Sequence, residues 1–269
     1  LDLILVGPGR AGLSLTTAAV DSGHRVVGVL ARDSRKGAEA AARIGTVTLD
    51  WDKRFPAVDL LVIAVSDDAI TEVAQRLAPL ATEVAGAVHL SGLTSVSALE
   101  PLAGSCRVGS FHPLQSFPDV DASRVAGCAV AVTTEDEALA ERLFGLAESL
   151  GAKPFLLDDG IKGAYHAAAS AAANFPVAAL SMARQLFEAA GVDFDLAAPL
   201  VRTAVESALS MGPEKALTGP VARGDVGTVV AQLAAVEEAA PCVSADFRAF
   251  VRAVARVAGT EDIFGGVLL

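Results

Sequence analysis

An α/β fold, with an N-terminal mostly parallel sheet and a second all-helical domain, is what this 269-residue sequence predicts. Three observations predict it. Short runs apolar on both faces alternate with helical stretches as far as residue 157. A glycine-rich turn follows the first of those runs directly. Beyond Asp158, Asp159 and Gly160 the strand pattern stops and helical periodicity takes over.

In chain order, "DLILV" (2–6) reads as a strand, then come the glycine-rich turn and an Ala-rich helix. "HRVVGVLA" (24–31), "VDLLVIAV" (58–65), "GAVHL" (86–90), "RVGSF" (107–111), "GCAVAVT" (127–133) and "KPFLL" (153–157) continue the strand series. From Ile161 to Gly259 the periodicity is helical, broken at "GVDFDLAAP" (191–199) and "GPEKALTGPVARGD" (212–225). The expected domains are therefore residues 1–158 and 159–269. Pro176 lacks an amide and crowds the turn before it, so it should kink or divide its helix.

Composition excludes several classes of function. A formal charge of −11 and a pI near 4.8 argue against nucleic acid and anionic membrane surfaces as partners, so any anionic ligand needs a local basic cluster. Cys106, Cys128 and Cys242 are odd in number and in no CxxC pattern, which reads as reduced cytoplasmic thiols with no disulfide framework and no metal site. No secretory signal is expected ahead of the first apolar run. The charge-free run at 163–183 has the length of a membrane span, but it holds His166, Asn174 and Pro176 and is mostly alanine; a buried helix is expected.

"GPGRAG" (7–12) fits G-x-G-x-x-G after a strand and at the head of a helix, where a Rossmann-type domain binds a dinucleotide. Gly7 permits the tight turn, Gly9 lets the backbone approach a pyrophosphate, and Gly12 allows close helix-to-strand packing. The amides of Arg10 and Ala11 join them at the positive end of the helix. An NAD site usually places an acid at the end of the second strand; here "LARDSRK" (30–36) offers Arg32, Ser34 and Arg35, a basic patch suited to the 2′-phosphate of NADP. Asp33 would be the NAD-type acid if the register slipped by one, so NADP is the favoured cofactor and NAD the lesser one.

Ligands of open α/β sheets sit outside the carboxyl ends of the strands. Val65 and Ser66 are candidate cofactor contacts there, with helix capping by Ser66 or Asp67 the plainer reading. Ser91, beside Gly92 with room for a ligand, and His112, at a strand end before Pro113, are candidate substrate contacts. His24 receives no role, and His89 reads as a core histidine.

The stretch "KGAYHAAASAAANF" (162–175) places Lys162, His166, Ser170 and Asn174 at every fourth position, a slowly drifting polar row on one helix. Lys162 and His166 are the candidate proton carriers, Asn174 a substrate contact, and Ser170 a helix-packing hydroxyl. In "TGPVARGD" (218–225), Arg223 can clamp a carboxylate and Asp225 can cap the next helix.

Taken in order, GPGRAG, HLSG, GSFHPLQSF, KGAYHAAASAAANF and ALTGPVARGD resemble bacterial proteins that join a Rossmann-like domain to a helical domain of unknown function. Those proteins look like distant relatives of 6-phosphogluconate and 3-hydroxyisobutyrate dehydrogenases, pyrroline-5-carboxylate reductase, prephenate dehydrogenase and ketopantoate reductase. In the hydroxyacid dehydrogenases a K-x-x-x-N pair does the acid/base work; Lys162-x-x-x-His166 stands here instead, so the resemblance implies Lys162 as the proton carrier and leaves the substrate class open. FHP (111–113) is similar to the HP turn of prephenate dehydrogenases, which implies His112 near the substrate. The resemblance also implies a homodimer through the helical domain.

The expectation is an NADP-dependent oxidoreductase passing hydride to a small carboxylate-bearing carbonyl or imine, a ketopantoate-like keto acid among them. The alternative is a non-catalytic NAD(P)-binding regulatory protein of the same fold.

Overall fold

The computed structural model describes residues 1–268; Leu269, the last position of the expected helical domain, lies outside the described residues. By compactness the chain divides into two units, Leu1–Ser170 and Ala171–Leu269.

The first unit is built on one seven-stranded sheet, ordered β2-β1-β3-β4-β5-β6-β7. Its strands are β1 (Asp2–Val6), β2 (Arg25–Leu30), β3 (Leu60–Ile63), β4 (Gly86–His89), β5 (Arg107–Leu114), β6 (Ala129–Thr133) and β7 (Lys153–Leu156). All neighbours run parallel except β5 and β6. Its helices are α1 (Arg10–Asp21), α2 (Ser34–Ile44), α3 (Ile70–Leu77), α4 (Glu100–Ala103) and α5 (Glu137–Ser149). The doubly apolar runs have their physical reason here. Leu3 and Leu5 of β1 pack into one core cluster with Leu13, Leu15 and Leu143, whereas Ile4 and Val6 pack on the opposite face with Ile70 and Leu77.

Two features of the sheet position the site. The strand order reverses at β1, so the turns after β1 and β3 face a common crevice at the topological switch point. Strand β5 also outruns β4. The β4 pairing ends at His89↔Ser110, while β5 continues to Leu114 against antiparallel β6. The expected strand stopped at Phe111, ahead of Pro113. Pro113 is tolerated because it lies beyond the last β4 partner and pairs with Val130 alone, and His112 thereby becomes a strand residue on an overhanging ledge.

Helix α6 (Lys162–Ala189) begins in the first unit and runs into the second, followed by α7 (Ala198–Met211), α8 (Pro213–Ala216), α9 (Val226–Ala239), α10 (Ser244–Ala258) and α11 (Glu261–Leu268). Val221, Val229, Leu233, Val251, Ala255 and Phe264 form the main core of the second unit. Pro176 does not divide α6, which is one 28-residue helix. The charge-free run at 163–183 is not the buried helix expected: among the described residues, Lys162 is the one buried residue of α6. Residues 172–178 are all exposed, so water can satisfy the carbonyl that Pro176 leaves without an amide. Helix α11 lies past Gly259, where the helical reading of the sequence ended. Among the described residues, no helix is long and apolar enough to cross a membrane.

Candidate functional site

The glycine-rich turn is shaped by contact with the turn after β3. Gly7 has φ +83°, and a Cβ there would lie 2.6 Å from Val65 Cγ1 and 2.8 Å from the Ala64 carbonyl oxygen. At Gly12 a Cβ would lie 2.6 Å from that of Ala64, so helix and strand approach closely only because no side chain intervenes. Gly9 caps α1 with no side-chain bond, and the helical ladder starts where Leu13 N–H donates to the Gly9 carbonyl at 2.9 Å. The amides of Arg10, Ala11 and Gly12 precede that ladder, and no carboxylate stands in the first turn. Together with Val65, Ser66 and Ser91, residues 9–12 line a cleft of about 400 Å³. This arrangement fits a pyrophosphate, which would meet backbone donors. The Arg10 guanidinium is engaged elsewhere, donating to the Pro118 carbonyl at 2.9 Å.

At the end of β2 the carboxylate of Asp33 accepts the amides of Arg35 and Lys36 at 2.9 and 3.1 Å and so caps α2. These amides hold its carboxyl below the usual range, with the two basic side chains acting in the same direction and burial opposing. Arg32, Ser34 and Arg35 are exposed around this helix start and do not line the glycine-turn cleft; Arg35 also reaches Glu39 at 3.4 Å.

The densest polar chemistry lies where β5 overhangs β4. Ser110 and His112, two residues apart on a strand, share a face and stand roughly 7 Å apart along it. Lys162 and Tyr165, three apart on α6, rise by roughly 4.5 Å along the helix. The two spacings are close enough for both pairs to meet. Lys162 Nζ donates to Ser110 Oγ at 2.8 Å, and Tyr165 Oη lies 2.9 Å from His112 Nδ1. Lys162 is 1% exposed, and burial pushes its ammonium down to about 8, against the pull of Asp159 and Asp67. Asp159 Oδ1 lies 3.9 Å from Nζ while its two oxygens accept the Val96 amide at 3.0 Å and the Ser95 hydroxyl at 2.5 Å. Burial, with His166 and Lys162 adding to it, pushes His112 down to about 4; burial raises Tyr165 to about 12, with Cys128 adding to it.

Ser91 is a turn-maker as well as a cleft residue. Its hydroxyl donates to Asp67 Oδ2 at 2.8 Å and accepts the amides of Leu93 and Thr94, and its own amide donates to His89 Nδ1 at 3.2 Å. His89 is fully buried, and burial pushes it down to about 4 with Lys162 adding to the effect. The room expected beside Gly92 is filled by the protein itself: a Cβ there would lie 2.7 Å from His112 Nε2. Glycine therefore serves the approach of His112 to the 91–92 turn.

The four-spaced row on α6 does not share one environment. Lys162 is buried, His166 and Ser170 are half-buried, and Asn174 is exposed. The His166 ring centroid lies 6.3 Å from that of His112. Asn174 and Arg223 belong to the second unit, where Arg223 is exposed and Asp225 caps α9 through the Thr228 amide at 3.1 Å. Sequence reasoning missed Ser110, Tyr165 and Asp159, and it read Asp67 chiefly as a helix cap, whereas its carboxylate accepts from the Ser91 hydroxyl. The signal available was S-x-H on a strand matched to K-x-x-Y on a helix.

Residues 1–113 match the Rossmann-like domain family, and residues 128–255 match a domain of unknown function, DUF2520. The chain joins a Rossmann-like domain to a DUF2520 domain. This is the pairing that its motifs resemble. The DUF2520 match takes in β6 and β7 of the sheet as well as α6 to α9 and most of α10. In structure the chain is similar to a "putative NADP oxidoreductase" of Bacteroides fragilis, with a TM-score of 0.82 at 22% identity over 95% of this chain and 98% of that one. A protein from Thermotoga maritima gives 0.77 at 25% identity over 96% and 99% of the two chains. The imine reductase of Streptomyces aurantiacus gives 0.67 at 17% over 97% and 95%. No curated protein matches the sequence.

Proposed function

We propose that the protein is an NADP-dependent oxidoreductase that passes hydride to a small carboxylate-bearing carbonyl or imine compound, a ketopantoate-like keto acid among the candidates. The observation that carries this reading is the buried Lys162, held by Ser110 on the sheet whose switch point presents the open glycine turn. The names of the similar structures from Bacteroides fragilis and Streptomyces aurantiacus support the same class. When bound, the nicotinamide cofactor supplies the hydride. The amides at 10–12 hold its pyrophosphate, Val65 and Ser66 flank it, and Arg32, Ser34 and Arg35 meet the 2′-phosphate. Asp33 spends its carboxylate on the α2 cap, which favours NADP over NAD. Lys162 gives the proton, with His166 the other carrier at hand, and Ser91 and His112 orient the substrate. An ammonium pushed down to about 8 is well matched to that task at neutral pH.

Calorimetric titration tests the cofactor assignment. NADPH should bind more tightly than NADH, and Arg32→Ala and Arg35→Ala should each cost NADPH about tenfold, as expected for one exposed charge-assisted contact, while leaving NADH unchanged. Binding of neither cofactor would overturn the proposal. If NADPH binds, its oxidation across a panel of keto acids and cyclic imines identifies the substrate.

We further propose a homodimer through the helical unit. Helix α7 has no buried residue, and Leu200 and Leu209 are 69% and 83% exposed, an apolar surface that a second copy would cover. Light scattering should give twice the chain mass for the unsubstituted protein and the single mass for Leu209→Asp. The three free cysteines support a reducing, cytoplasmic setting.

A further inference from the structure

We infer that Tyr165 holds His112 as its Nε2–H tautomer, so that the site meets its substrate with hydrogen-bond donors and takes a carbonyl compound, not an iminium ion. The inference rests on the proposed oxidoreductase function for its second half and on geometry alone for its first.

The His112 Nδ1 edge is closed by Tyr165 Oη at 2.9 Å, and the Tyr165 hydroxyl has no other hydrogen-bond partner among the described residues. Were Nδ1 the donor, the phenolic proton of a half-buried tyrosine would go unused; with the phenol donating, one bond satisfies both groups and the ring proton stays on Nε2. The opposite edge of the ring lies against Gly92, where any Cβ would come within 2.7 Å of Nε2. Glycine thus brings the Nε2 edge to the turn whose Ser91 lines the cleft of the glycine-rich loop. The neighbouring charged donor is Lys162. Two carboxylates lie nearby: Asp159 already accepts from Ser95 and Val96, and Asp67, which lines the cleft, accepts from the Ser91 hydroxyl at 2.8 Å.

A carbonyl oxygen has two lone pairs and can accept from both Nε2–H and the ammonium. As hydride adds to the carbonyl carbon, the π pair moves to oxygen and the developing alkoxide takes a proton from Lys162, leaving a neutral amine, an alcohol and oxidised cofactor. An iminium ion would set its own N–H against a donor and its positive charge beside an ammonium. Tyr165 is in these terms a positioning residue, acting through His112.

The test is long-range 1H–15N correlation NMR on protein carrying 15N-labelled histidine. The chain has four histidines, so single His→Gln variants assign every ring. At pH 7 His112 should be neutral with its proton on Nε2, and Tyr165→Phe should turn that single tautomer into a mixture. His89, whose Nδ1 accepts from the Ser91 amide, should keep its own pattern and so report an intact fold. A charged or Nδ1–H His112 in the unsubstituted protein overturns the inference without any variant. An unchanged His112 in Tyr165→Phe removes Tyr165 from its role. The substrate half is read in the NADP+-saturated protein. Oxamate, a keto-acid mimic, should shift the His112 Nε2 resonance, and acetamidinium, a planar N–H cation, should not. The reverse result, or no shift with oxamate, overturns the carbonyl assignment. Failure to bind NADP+ overturns the proposed function and leaves the tautomer result standing.

Discussion

Lys162→Met is expected to melt several degrees above the unsubstituted chain at pH 7 while losing turnover. The side chain is 1% exposed and its ammonium is pushed from 10.5 down to about 8, mainly by burial. Below pH 8 both the folded and unfolded chains hold the proton, and the folded state carries the full net penalty, burial less the attraction of Asp159 and Asp67, of about 3 kcal/mol at 1.36 kcal/mol per unit. Between pH 8 and 10.5 the unfolded chain binds more protons than the folded one, so stability rises with pH. Above 10.5 both are neutral and the penalty is gone. Methionine removes the penalty at the loss of the Ser110 bond, about 1 kcal/mol. The net gain of about 2 kcal/mol corresponds to roughly 4–8 °C for a chain of this size. Calorimetric melts at pH 7 and pH 10.5 check both magnitude and sign. The gain should be present at the first and absent at the second, and a variant less stable at both would mean that Lys162 is not held at a cost. A buried charge retained against stability is characteristic of a group kept for chemistry.

The second large effect is expected at Gly7. Gly7→Ala must hold a left-handed φ of +83° and place a methyl 2.6 Å from Val65 Cγ1 and 2.8 Å from the Ala64 carbonyl oxygen. The backbone strain costs about 1 kcal/mol and the overpacking about 2 kcal/mol more. A fall of roughly 6–12 °C in melting temperature should follow, together with loss of NADPH binding as the turn is forced off the β3 loop. Gly23 supplies the comparison. It has nearly the same φ, +85°, with nothing within 4 Å of a Cβ, so Gly23→Ala should show the strain alone. Equal losses at the two positions would show that contact with the β3 loop contributes nothing.

These two residues also mark what the sequence made legible. Gly7 could be read because its requirement is local: a strand, a turn and a helix within about twenty residues impose a fixed glycine spacing. The inner strands were legible for a similar reason, since burial on both faces writes an unbroken apolar run; the edge strand β7, which has no buried residue, was legible only from its short apolar segment. Lys162 was singled out by its place in an alanine-rich helix, but its partner Ser110 was not, because 52 residues separate them and nothing local ties them together. Tyr165 was passed over because a four-residue step traces a helix face with drift; the contact to the strand falls at the third residue of the turn. The extent of β5 was underestimated because Pro113 normally ends a central strand, and whether a neighbour exists at that level depends on the length of β4.

The overhang of β5 bears on how this chain can be divided. The Rossmann-like match ends at residue 113 and the DUF2520 match begins at 128, straddling the loop that joins β5 to β6. Severing the protein there would not separate two bodies. It would unzip an antiparallel seam, leaving the N-terminal fragment with the bare hydrogen-bonding edge of Ser110, Phe111 and His112, and the C-terminal fragment with two orphan strands. Such edges seek other chains. The inheritance unit and the folding unit therefore differ, and a truncation meant to isolate the cofactor half would yield soluble monomer only if it kept β6 and β7.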